Sequence, residues 1–442
     1  MENSQVKILK KMKYFLSLFN NSEYPEKNSI FYLNTTSSFI GSYIIQTFSD
    51  VKSWNFFAKF LIVLKDINYI FNYINYKIYK PKKITNYKKI IVTWAYEDNF
   101  IRNGSLNDRY LNVNSKEIKD CLWFVIYMSN TIPKKIDNNI VLFKPKTLKS
   151  YDIIHFFDFL RKNIFILFKN FKYYLTLKSN YNYFAEIFLE NINEYLVKDL
   201  KLILMPFEGQ PFQNKLVNLV KNKNKKIKTI GYIHSPPLPL PSNFLFRSGA
   251  PDKIILNGKD QIYCFNKILG WKKNNIIYLP SFRFLKKKKK INDTIYFPLN
   301  VINKKKIIRN IKFLIAEKII NLNYLDIKNH PGALYSKNNI DLINQIKKIR
   351  KDSGYKNKSK NSKNFSIFIG TSGAIIEALE RGKNVIQICD NPLFDIYSSK
   401  IWPSIETFKI NQGVYSYKLK KKGALIKFGE KKNNLKKVLQ II

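Results

Sequence analysis

The 442-residue sequence has only three cysteines, Cys121, Cys264 and Cys389, without CxxC or metal-ligand spacing. That pattern indicates neither a disulfide framework nor a zinc site. Histidines also number three, and acidic residues are few against basic ones, 31 to 77. No apolar run reaches the roughly 18 residues of a spanning helix. The nearest stretches, 56–74 and 153–171, are broken by Lys59, Lys65 and Asp66 and by Asp158, Arg161 and Lys162. Behind Lys7, Lys10, Lys11 and Lys13, residues 14–19 are too short for a signal-peptide core. Neither GxGxxG nor GxxxxGK[ST] occurs, so the usual dinucleotide and P-loop sites are not supported. An Asp-x-Asp metal motif is missing as well. The expectation is a cytoplasmic protein whose charge could hold it to the inner membrane face.

What is present points to a globular chain. Hydrophobic residues make up 45% and aromatics 15%, enough for sizeable cores. The length suits two domains. The formal charge of +46 would draw nucleic acid, anionic lipid or phosphorylated substrates. Apolar runs of strand length alternate with helical patterns from residue 89 onward: 89–95, 139–143, 201–206, 226–233, 251–256, 275–279, 294–299 and 324–328 read as strands. Residues 117–128 fit either a helix or a strand. Aromatic and Ile spacing between 39 and 78 predicts helices, and 259–269 reads as one amphipathic helix. This alternation predicts an α/β fold with mostly parallel sheets. A five-lysine run at 286–290 marks the expected boundary between a first domain, 1–285, and a second, 286–442. Residues 351–363 read as a mobile loop. From Asn391 the pattern weakens, and Pro392 to Trp402 reads as crossing back toward the first domain.

The second half is organised around 365–390. An apolar strand meets Gly370-Thr371-Ser372-Gly373, then a short helix closed by Arg381 and Gly382, then another strand. Two glycines let backbone approach a ligand, two hydroxyls can donate to it, and the helix start favours an anion. An ordinary tight turn with a capping hydroxyl accounts equally well for the loop alone. The preceding strand delivers Asn329-His330-Pro331-Gly332. Open α/β sheets bind ligands beyond the carboxyl ends of their strands, so a phosphate is the expected guest. In the first half, strand ends deliver Glu97-Asp98, the run 207–213 and His234-Ser235.

Two successive α/β domains with polar strand ends facing a cleft resemble GT-B-type glycosyltransferases. Residues 326–331 resemble the His-Pro motif of bacterial sialyltransferase and polysialyltransferase families, and 370–377 the Ser/Thr-rich turn that follows it. FEGQPFQ (207–213), GYIHSPPLPLP (231–241), APDKIILNG (250–258), LGW (269–271) and EALERG (377–382) resemble surface-carbohydrate biosynthesis proteins. The resemblance, over about residues 90–405, implies a nucleotide-sugar co-substrate, with CMP-nonulosonate among the candidates, and a glycan or lipid-linked acceptor. It implies that His330, Pro331, Gly370, Thr371, Ser372 and Gly373 hold the donor phosphate.

Those sialyltransferases carry an acidic pair followed by Gly as general base. Here Glu97-Asp98 is followed by Asn99, and Glu208 stands before Gly209, so neither matches fully. Glu208 is the first candidate base, with Gln210 and Gln213 beside it for sugar hydroxyls. The competing account of Glu208 is an acid near a helix start. Asp98 and Glu97 come second, with a solvated loop as the alternative. His234 could face phosphate or acceptor, or be structural. Arg247 and Arg283 are candidate phosphate ligands because guanidinium binds phosphate oxygens in pairs, and Glu377 a candidate for ribose hydroxyls. No metal and no other cofactor is expected. Rival readings are a polyol-phosphate transferase, a non-catalytic polymer-binding relative, and a basic nucleic-acid-binding protein. Against the last, no RNP-like pattern occurs and lysine is spread throughout.

Overall fold

The computed structural model describes residues 2–18, 76–81, 86–118, 120–145, 179–286, 293–298, 303–322, 325–329, 337–352, 365–389, 392–430, 435 and 439. The expectations for helices in 39–75, for the Lys287–Lys290 part of the lysine run, for a mobile loop over 353–364, and for His330 and Pro331 lie outside these residues.

The chain is a mixed α/β protein built on two parallel-dominated sheets. The first is formed by β1 (Tyr76–Tyr79), β2 (Lys89–Ala95), β5 (Cys121–Tyr127), β6 (Ile140–Pro145), β7 (Leu202–Pro206), β8 (Lys228–Tyr232), β9 (Lys253–Leu256) and β10 (Ile276–Tyr278). Between β2 and β5 stands a small hairpin of β3 (Asn107–Asp108) and β4 (Val113–Asn114). The eight strands run in the order β1-β6-β5-β2-β7-β8-β9-β10, parallel except at β1. From β2 the chain winds out through β5 and β6, returns, and winds the other way through β7 to β10. The order reverses between β2 and β7, which is the topological switch point of a doubly wound sheet.

Residues 117–128, open to two readings, contain β5 as a central strand. All seven of its residues are buried, as expected of a strand covered on both faces. At the sheet edge the helix expectation is corrected: Tyr76–Tyr79, which overlaps the end of 39–78, is a strand paired antiparallel to β6. Its β-branched and aromatic residues complete an open edge, and that long-range pairing overrides the local helical spacing. The predicted helix over 259–269 is α-helical only at Lys259–Tyr263. It continues as a π-type turn, Cys264–Ile268, where the Leu269 amide donates to the Cys264 carbonyl at 3.0 Å.

The second sheet holds β12 (Thr294–Tyr296), β13 (Asp326–Lys328), β14 (Phe365–Ile369), β15 (Asn384–Ile388), β16 (Ile405–Asn411) and β17 (Val414–Leu419), in the order β13-β12-β14-β15-β17-β16. The first four are parallel, and β17 and β16 add an antiparallel hairpin. Its switch point lies between β12 and β14. The helix Lys304–Ala316 sets Ile307, Ile311 and Leu314 at i, i+4, i+7 against one face, with Leu342 and Ile346 from the helix Lys337–Asp352.

The two sheets share one hydrophobic core that joins Phe207, Leu240 and Phe244 to Phe368, Ile376 and Trp402. Two buried aromatics tie the halves by their polar ends. Tyr397 Oη donates to the Pro237 carbonyl at 3.0 Å, and Trp402 Nε1 to the Pro239 carbonyl at 3.2 Å. Burying each ring is worth roughly 1.5–3 kcal/mol. After β17 the chain returns to the first half. There the Lys427 amide donates to the Asn257 carbonyl at 2.6 Å, and β18 (Phe428–Gly429) pairs with β11 (Ser281–Leu285). The N-terminal helix Glu2–Leu18 buries Gln5, Ile8, Leu9 and Met12 on one stripe, and Gln5 Nε2 donates to the carbonyls of Leu393 and Ile396 at 2.9 and 2.8 Å. Among the described residues, no helix is long and apolar enough to cross a membrane.

Candidate functional site

The switch point of the first sheet collects the chemistry. β7 ends in Phe207-Glu208-Gly209, and the chain must turn sharply before the helix Pro211–Lys223. Gly209 takes φ +69°, and a Cβ there would meet the Asn243 carbonyl oxygen at 2.0 Å. The turn is fastened from every side. Arg247 Nη2 donates to the Gly209 carbonyl at 2.6 Å and Asn243 Nδ2 to the Glu208 carbonyl at 2.6 Å. Gln213 Oε1 accepts from the amides of Glu208 (2.9 Å) and Gln210 (3.1 Å), while its Nε2 donates to the Pro206 carbonyl at 2.7 Å. Gln213 and Arg247 are thus buried parts of the turn. Burial brings the Arg247 guanidinium down to about 10, still charged at neutral pH.

The fixed backbone leaves the Glu208 carboxylate partly open to solvent, its side chain 25% exposed. Gln210 Nε2 donates to Oε2 at 2.8 Å, and Oε1 stands 3.4 Å from His234 Nε2. His234 leaves the end of β8, the strand next to β7, and is 2% exposed. Burial first and the Arg283 charge second push its imidazole well below its ordinary value. The contact with Glu208 is therefore that of a neutral imidazole with a carboxylate. Nδ1 of His234 is buried with no hydrogen-bond partner.

Tyr110, at the tip of the β3–β4 hairpin, packs edge-on against His234 with centroids 4.5 Å apart, and against Trp94 of β2 at 5.8 Å. The Arg283 guanidinium lies 5.7 Å over the Tyr110 ring, and Asn112 Nδ2 ties the hairpin tip to the Phe282 carbonyl at 3.2 Å. Burial and then the Glu208 charge push the Tyr110 phenol up, so it stays protonated.

Asp108 shapes this hairpin. Its Oδ1 accepts from the amides of Tyr110 (2.8 Å) and Leu111 (2.6 Å), and its Oδ2 from Thr93 Oγ1 at 2.5 Å. Burial raises the carboxyl to about 6 from an ordinary 3.8, outweighing those hydrogen bonds. Raised in the folded state, Asp108 contributes stability that is full below about pH 4 and lost as pH rises through about 6. Asp108→Asn keeps an acceptor for both amides and a donor for Thr93. We expect it to be more stable than wild type by on the order of 3 kcal/mol above about pH 7, the gap closing toward about pH 4. Urea midpoints of both proteins across that range check it.

The other acidic candidates share the same sheet edge but are engaged elsewhere. Glu97 accepts from the Thr131 hydroxyl, and Asp98 forms an exposed pair with Arg109 at 2.5 Å. Such surface pairs contribute little.

On the second sheet, β14 ends in Gly370-Thr371-Ser372-Gly373. Gly370 takes φ +65°, and its carbonyl accepts from buried Gln387 Nε2 at 2.7 Å. The Thr371 hydroxyl donates to buried Asp395. Ser372 Oγ accepts from the Ala374 amide at 3.2 Å, and its carbonyl from Tyr397 Oη at 3.3 Å. Glu377 pairs with Arg381 at 2.9 Å, one helical turn on. A Cβ at Gly373 would lie 3.2 Å from the Pro236 carbonyl oxygen. The loop therefore abuts the segment that begins two residues after His234.

The structure thus brings together Glu208, Gln210, His234 and Arg283, and sets Gly373 against the chain leaving His234. It uses Gln213 and Arg247 to hold the turn. Tyr110, Trp94 and Asp108 were not legible as site residues: in a chain with 15% aromatics a single tyrosine carries no signal. Among the described residues, no three His, Cys, Asp or Glu side chains are grouped to hold a metal ion. No family model matches the chain, and no curated protein matches it.

Proposed function

We propose that this chain is a GT-B-type glycosyltransferase of surface-carbohydrate synthesis, its two Rossmann-like domains facing one cleft. The observation that carries the reading is the apposition of Gly373 with Pro236, which sets the carboxyl-end loop of one sheet against that of the other. In this reading Glu208 takes the proton from the acceptor hydroxyl as its oxygen bonds to the anomeric carbon and the bond to the leaving phosphate breaks. Neutral His234 orients the carboxylate without quenching its charge. Gly370 to Gly373, with His330 and Pro331, receives the phosphate, and Arg283 and Tyr110 line the acceptor side. The donor is a nucleotide sugar, CMP-nonulosonate among the candidates, and the acceptor a glycan, free or lipid-linked. Transfer is metal-independent in this proposal.

A nucleotide panel tests it. CMP, CDP, UDP, GDP and dTDP are each added without metal and the melting temperature read. A ligand of the folded state at 100 times its Kd adds about 2.7 kcal/mol. We expect one nucleotide to raise the melting temperature and His330→Ala to abolish that rise. A rise with CMP supports a nonulosonate donor, and one with CDP moves the reading to a polyol-phosphate transferase. No rise with any of the five would overturn the donor site.

A further inference from the structure

The geometry points to the outer face of the N-terminal helix as a docking surface for an anionic lipid bilayer. The helix Glu2–Leu18 spends one stripe on the core, so its opposite face is turned outward. Lys7, Lys10 and Tyr14, at i, i+3 and i+7, form that outer stripe. All three are exposed, Tyr14 by 68%. Lys13 extends the face sideways: a Cβ added at Gly270 would meet Lys13 Nζ at 2.9 Å and Phe246 Cβ at 3.7 Å. Phe246 is itself 36% exposed, and Lys267, Lys272 and Lys273 are exposed on the neighbouring turn.

Amines around the exposed Tyr14 ring and the open side of Phe246, whose ring packs edge-on against Trp271, match the headgroup layer of a bilayer. The amines meet phosphates, while the rings sit at the boundary between headgroups and acyl chains. Each basic residue near an anionic surface contributes to binding until salt screens it. Nucleic acid shares the negative charge, but the exposed rings of Tyr14 and Phe246 beside the amines favour a surface with an apolar layer beneath its charges, which a bilayer has. The inference is independent of the transferase reading, since vesicle binding needs no nucleotide.

The test is co-sedimentation of the full chain with vesicles of phosphatidylglycerol and phosphatidylcholine, against phosphatidylcholine alone. Binding should require the anionic lipid. Lys7→Glu with Lys10→Glu should lower the partition coefficient at least about tenfold. Lys225→Glu with Lys226→Glu, exposed in the turn before β8, changes the net charge equally and should have a much smaller effect. Tyr14→Ser should weaken binding severalfold with the charge unchanged. Unaltered melting temperatures show that each variant is folded. Equal losses from both lysine pairs would assign binding to the overall charge and overturn the proposal. So would the absence of vesicle binding in a protein that retains single-stranded RNA at physiological salt.

Discussion

Glu208→Gln is expected to lower kcat by about 10²–10⁴-fold, the usual contribution of a positioned general base. Nucleotide-induced stabilisation should stay unchanged. Glutamine has nearly the same shape and can still accept from Gln210, whose Nε2 lies 2.8 Å from the carboxylate. What it lacks is the ability to take a proton. The acidic limb of the pH–rate profile, set by ionisation of the base, should disappear with it. If Glu208 only favoured the helix dipole, its loss would cost about 0.3–1 kcal/mol of stability and leave kcat alone. Geometry favours the base. The helix begins at Pro211 with Gln210 as its cap, and the Glu208 side chain points to His234 at 3.4 Å. Asp98→Asn is the matched control. Its exposed pair with Arg109 lies outside the cluster, and kcat should change less than about twofold.

Gly209→Ala should be the most destabilising substitution in the site. Two penalties add. A side chain at φ +69° occupies the left-handed region, costing about 1–3 kcal/mol. The new methyl would also stand 2.0 Å from the Asn243 carbonyl oxygen, and overpacking costs roughly 1–3 kcal/mol more. Relief requires backbone to move, because Arg247 and Asn243 hold both carbonyls of the turn. The urea midpoint should therefore fall, and activity with it, since Glu208 is carried on that backbone. Gly382→Ala separates strain from crowding. That glycine also has a positive φ, +76°, but its nearest neighbour would be the flexible Lys422 Nζ at 3.7 Å. It should lose only about 1–3 kcal/mol. Equal losses at the two positions would show that the close approach at Gly209 carries no cost.

The β-α alternation was legible because each buried strand is a short apolar run ended by polar or glycine residues, as in KLILMP before Phe207-Glu208-Gly209. The cap of the helix Ala374–Glu380 was legible for a similar local reason: Gly382 supplies the positive φ that ends it. The strand at Tyr76–Tyr79 was not, since its partner β6 lies some sixty residues away and local spacing carries no record of the pairing.

The site divides in the same way. Sequence alone determined the residues that leave the carboxyl ends of strands, Glu208, His234 and Gly370 to Gly373, because strand ends are a local property. Only the tertiary structure decided which of them meet. Strand order puts β7 beside β8 and so Glu208 beside His234, while Glu97 and Asp98 turn to partners on the surface. The hairpin brings Tyr110 back over His234, and the shared core sets Gly373 against Pro236. Those contacts depend on burying apolar surface between segments distant in the chain, a collective free energy with no signature in any one stretch of sequence.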